Sequence, residues 1–78
     1  MKIVVRDTEN LKKIIITKGY SIRSFGRALG TSGPYANQIV NSVRNPGPII
    51  ARNIVDLLGV QYDEIFFIES GNKSDQAV

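Results

Sequence analysis

Glycines and prolines cut the chain after Lys18 into short segments, none long enough for more than about three helical turns, and the run before Gly19 allows about five. Gly19, Gly30 and Gly59 each follow a stretch with apolar residues at helical spacing, which is where a glycine ends a helix. Asn45-Pro46-Gly47-Pro48 reads as a turn, and Pro48 suits the first position of a helix. A fold assembled from pieces this short must be a bundle of small helices.

The stripes between the stops say how the pieces pack. Asp7-Thr8 offers an N-cap, followed by Leu11, Ile14 and Ile15. Ser21 caps a second helix with Ile22, Phe25, Ala28 and Leu29 on one face. A third helix, about 33 to 42, sets Ala36, Ile39, Val40 and Val43 against the core and turns Pro34, Asn37, Gln38 and Asn41 outward. Ile50, Ile54, Leu57 and Leu58 form a fourth stripe. Asp63-Glu64 opens a short fifth helix, because carboxylates favour the positive end of the helix dipole. Residues 2 to 6 are β-branched and predict a strand, and Phe66-Phe67-Ile68 predicts another. These two pair with each other or across a dimer. The expected fold is mostly α, five helices with a small terminal sheet in one domain over 1–69, followed by a frayed polar tail over 70–78.

The composition removes several classes of function. The chain has no cysteine and no histidine, so neither a disulfide framework nor an ordinary zinc site is expected, and no cofactor is implied. The pair Asp63-Glu64 is better explained as a helix start than as a catalytic dyad, and no nucleophile or general base has the company catalysis needs. An enzyme is not expected. The run Ile65-Phe66-Phe67-Ile68 is far too short to span a membrane, so the expected location is the cytoplasm, at the nucleoid. The formal net charge is +3. Lys12, Lys13, Lys18, Arg23, Arg27 and Arg44 precede position 45, while five of the seven acids follow position 55, so one half should be the positive one.

Gly30-Thr31-Ser32 separates the second and third stripes by the spacing of a helix-turn-helix, over about 21–42. That crossing leaves the polar face of the third helix free to enter a DNA major groove. Further residues match at fixed intervals: Leu29-Gly30, Ser32, Gln38-Ile39, Asn41, Arg44-Asn45-Pro46, Leu58-Gly59-Val60 and Asp63-Glu64-Ile65-Phe66. With them the run from Ser21 to Phe66 resembles the lambda-repressor-like, Cro-type (XRE-like) helix-turn-helix family without a gap. The resemblance implies sequence-specific binding of double-stranded DNA, usually as a homodimer on an operator, by a repressor-like regulator of bacteria, their phages or mobile elements.

The chain departs from the family pattern in three ways. Gly26 stands where alanine is common, which permits close packing of the two helices. Ile15 and Val40 replace an arginine–glutamate pair, an exchange that need not reduce stability. Gly33 and Pro34 stand where family repressors often carry glutamine or a similar base-reading side chain, and proline disfavours helical geometry in its predecessor. The expected cap is therefore Gly33, with Pro34 first in the helix. Base reading would pass to Asn37 and Gln38, whose amides can pair bidentately with adenine, beside Tyr35 and Pro34. Tyr35 has a stacking or thymine-methyl role open to it, or plain helix packing. Phosphate contacts fall to Ser32 and Asn41 at the helix ends, to Arg44 and Asn45 in the following turn, and to Arg23 and Arg27 four apart on helix 2. The bland alternative for each is a solvated face or a weak surface ion pair. The whole-protein alternative is an interaction module on the same fold, such as an antirepressor, antitoxin or adaptor. A protein regulator is a further partner of either.

Overall fold

A computed structural model describes residues 1–69; the tail expected over 70–78 lies outside the described residues. Strand β1 (Lys2–Val5) leads into α1 (Thr8–Thr17), α2 (Ile22–Leu29), α3 (Gly33–Val40), α4 (Pro48–Leu58), α5 (Tyr62–Ile65) and strand β2 (Phe66–Glu69). Five helices and a two-stranded sheet are the architecture that the stripes predicted. The strands pair antiparallel within the chain, Lys2 opposite Glu69 and Val5 opposite Phe66. Among the described residues no helix is long and apolar enough to cross a membrane.

The caps explain why the helices begin where they do. Asp7 accepts from the backbone N–H groups of Glu9 and Asn10 at 3.1 and 3.2 Å. At α2 the Ser21 hydroxyl accepts from Ser24 N (3.0 Å), and Ser24 Oγ accepts in return from Ser21 N (2.9 Å). This reciprocal box satisfies two N–H groups that would otherwise lack partners. Gly30 then ends α2 at φ 81°, a left-handed conformation that side chains other than glycine's resist. Ser21→Ala is expected to destabilise the domain by about 1 kcal/mol, lowering the melting temperature by roughly 4–8 °C. An unchanged thermal melt would show that the box contributes nothing.

The helices bury one core. Phe25, Phe66, Ile15, Val40 and Ile54 are sealed from solvent, so the Ile15 and Val40 substitutions sit in a fully apolar interior. Tyr62 packs half-buried against Phe66 with ring centroids 5.3 Å apart, while Phe67 stays partly exposed beneath Arg6. Several expectations need correction. Ala28 is exposed, and so is Val43. Val43 lies beyond the end of α3, which stops at Val40 because Ser42 adopts a left-handed φ of 61° and turns the chain. On α4 the buried stripe is Ala51, Ile54, Val55 and Leu58, with Ile50 and Leu57 only half-buried at its margins. α5 starts at Tyr62 rather than Asp63, with Gln61 as cap and Glu64 Oε1 accepting from Gln61 N at 3.0 Å.

The crossing of α2 and α3 depends on Gly26. A Cβ at this position would stand 3.0 Å from the Ser32 carbonyl oxygen and 3.1 Å from Ala36 Cβ. The two helices therefore approach through bare backbone. Thr31 N and Thr31 Oγ1 both donate to the Gly26 carbonyl, at 2.9 and 3.2 Å, and tie the turn to the same point.

Candidate nucleic-acid interface

Each residue of α3 advances about 100° around the axis. Pro34, Asn37, Gln38 and Asn41 therefore share one sector about 100° wide, and all four are exposed. Ala36, Ile39 and Val40 lie opposite and are buried. The outward face is thus the one that the pattern predicted.

Its N-terminal end differs by one position. Ser32, not Gly33, caps α3, accepting from Tyr35 N at 3.2 Å; Gly33 and Pro34 are the first two helical residues. Proline fits either of those positions, because neither N–H would have an intrahelical partner. Only Ser32 supplies a side-chain acceptor, and Gly33, lacking a Cβ, tolerates helical geometry before proline.

Two contacts organise the rest of the face. Asn41 Nδ2 donates to the Asn37 main-chain oxygen at 2.9 Å and to Asn37 Oδ1 at 3.1 Å. Asn37, expected to face bases freely, is thereby tied at its oxygen. Asn41, expected to bind phosphate, has its donor nitrogen engaged inside the helix. Arg44 lies over the Tyr35 ring, 5.2 Å from ring centroid to guanidinium carbon. Tyr35 is half-buried, packs on the core and has one face covered, so it combines the packing role with a platform for Arg44. The guanidinium edge stays open for a bidentate phosphate contact.

Arg23, Arg27, Arg44 and Asn45 are all exposed. Arg23 lies beside α3 in an open notch of about 320 Å³ that it shares with Ile22, Gly33, Pro34 and Asn37. From Asn10 to Val55 the chain contains no carboxylate, so nothing within α2, α3 or their flanking turns offsets these arginines. Such a field favours a polyanion. Among the described residues no group of acidic side chains is placed to hold a metal ion. Sequence reasoning missed the Asn37–Asn41 bond, the Arg44–Tyr35 stack and the part Ile22 plays in the notch. The four-residue spacing of the asparagines was the one available signal.

Residues 11–65 match a protein-family model described as helix-turn-helix, and the match takes in every helix-forming residue from Leu11 to Ile65. No curated protein matches the chain significantly.

Proposed function

The chain belongs to the lambda-repressor-like helix-turn-helix family of DNA-binding regulators, and we propose that it is a sequence-specific, repressor-like transcriptional regulator that inserts α3 into the major groove. The carrying observation is the outward sector of α3, polar along Asn37, Gln38 and Asn41 and flanked by Arg23, Arg27 and Arg44 with no carboxylate among them. Arginines clamp the backbone and fix the register; the helix face reads the bases. Among the described residues the Gln38 side-chain amide makes no hydrogen bond, which suits it to a bidentate contact.

The working unit in this reading is a homodimer with one α3 in each of two successive major grooves. Phe67 and Ile68 support it, since they leave exposed apolar surface on a strand of a two-stranded sheet. Such an edge offers its backbone groups to a second copy.

The test is selection from a random duplex library at near-physiological salt, with wild type and Asn37→Ala/Gln38→Ala in parallel. A palindromic motif with half-sites about one helical turn apart, relaxed in the double variant, is the expected result. Retention of duplex without enrichment would replace the reading with an architectural binder of the backbone. No retention would end it and turn attention to protein partners.

A further inference from the structure

Asn37 and its notch carry a finer assignment, which rests on α3 lying in the major groove. Pairing with adenine takes both ends of a carboxamide, the oxygen accepting from N6 and the nitrogen donating to N7. In this protein Asn41 Nδ2 already donates to Asn37 Oδ1 at 3.1 Å, and its second bond, 2.9 Å to the Asn37 main-chain oxygen, holds that arrangement. That bond occupies one lone pair of Asn37 Oδ1, whereas its amide nitrogen makes no hydrogen bond among the described residues and is the wholly available end. The base it meets should therefore offer an acceptor.

The notch adds an independent constraint. Ile22, Gly33 and Pro34 give it apolar surface, and Arg23 and Asn37 complete its lining. A Cβ on Gly33 would sit 3.5 Å from Arg23 Cγ, within the space that glycine leaves open. A small apolar group fits there. In the major groove cytosine offers Asn37 a donor, and guanine offers acceptors but no methyl group. Thymine alone places an acceptor, O4, beside a methyl group, on C5. We infer that this face reads thymine, with the Asn37 amide nitrogen donating to O4 and the Ile22–Gly33–Pro34 notch receiving the 5-methyl group. Asn41 is then a positioning residue that sets which end of Asn37 faces the base. Gly33-Pro34, in place of longer base-reading side chains, becomes part of the reader.

The experiment starts from the duplex that the wild-type protein enriches from a random library. Each thymine is replaced in turn by deoxyuridine, which removes only the methyl group. One thymine per half-site should show a loss of about fourfold in affinity, the worth of one buried methyl. That position should also be the one relaxed by Asn37→Ala. Gly33→Ala should lessen the deoxyuridine penalty by placing a methyl group in the notch beside Arg23, and Asn41→Ala should shift the preference there toward adenine by freeing Oδ1. Circular dichroism of both variants checks that they fold, and either one suffices for the test. A motif with no deoxyuridine penalty at any thymine, or one that weakens instead when 7-deazaadenine is placed at the Asn37-dependent position, overturns the thymine assignment alone. Absence of any enriched motif with wild type overturns the major-groove reading and the assignment together.

Discussion

Raising the salt from roughly 50 to 200 mM is expected to weaken binding to a duplex site by about a thousandfold. Arg23, Arg27 and Arg44 give three exposed cations per protomer, hence six in a dimer. Each neutralised phosphate contributes a slope of about −0.9 in log affinity against log salt, so six give about −5. A titration in fluorescence anisotropy measures the slope directly. Arg44→Ala should flatten it by about two units in the dimer, one per protomer. Its guanidinium carbon stands 5.2 Å from the Tyr35 ring centroid, a cation–π contact that restrains the side chain without using its N–H groups. A fall of less than about tenfold over the same range would be incompatible with phosphate clamping by these arginines and would favour an apolar protein interface.

Gly26→Val is expected to remove about 3 kcal/mol or more of stability, near the upper end for overpacking. A β-carbon already meets a backbone oxygen at 3.0 Å and the Ala36 side chain at 3.1 Å, and valine adds two more carbons to the same space. Neither neighbour can rotate away. The Ser32 carbonyl belongs to the turn tied down by Thr31, and Ala36 is held in the core by α3 itself. In a domain of this size such a loss lowers the melting temperature by roughly 12–24 °C. DNA binding should fail with it, since the crossing sets where the outward sector of α3 points. Gly26→Ala has two opposed terms: a gain of about 1 kcal/mol in helix propensity and a similar strain. It should land near neutrality. A Gly26→Val protein with the wild-type melt would show that the helices can separate at no cost.

The sequence stated the architecture clearly because caps and stops are local. Ser21, Gly30, Gly59 and Pro48 act through their own backbone and immediate neighbours, and each stands where its chemistry placed it. Helical spacing located the buried faces less sharply. On α4, Ile50 and Leu57 are larger than Ala51 and Val55, yet the smaller pair faces the core. Hydropathy gives a stripe about 100° wide, and close packing chooses within it by size. Val43 was misplaced for another reason: only the left-handed Ser42 ends α3 early, and serine does not announce that conformation. The outward residues of the site were legible from the same spacing. Their relations were not, because whether Asn41 turns to Asn37 or to solvent depends on rotamers that spacing leaves open.

The pairing of the first strand with the last has a consequence for how the fold is completed. Val5 and Phe66 meet across 61 residues of chain, and Lys2 and Glu69 across 67. Closing a loop of that length from an open chain costs about 3–4 kcal/mol in configurational entropy, more than four short strand residues recover alone. Helix docking has to meet most of that cost, since α2 packs on α1, α3 and α4, and α5 on α4. The sheet is thus the clasp on an already assembled bundle. On the ribosome the order is stricter still. Ile3 and Val5 are made before residues 66 to 69 and stay without their strand partner until those follow, so the nascent chain carries an unmated strand while all five helices are synthesised.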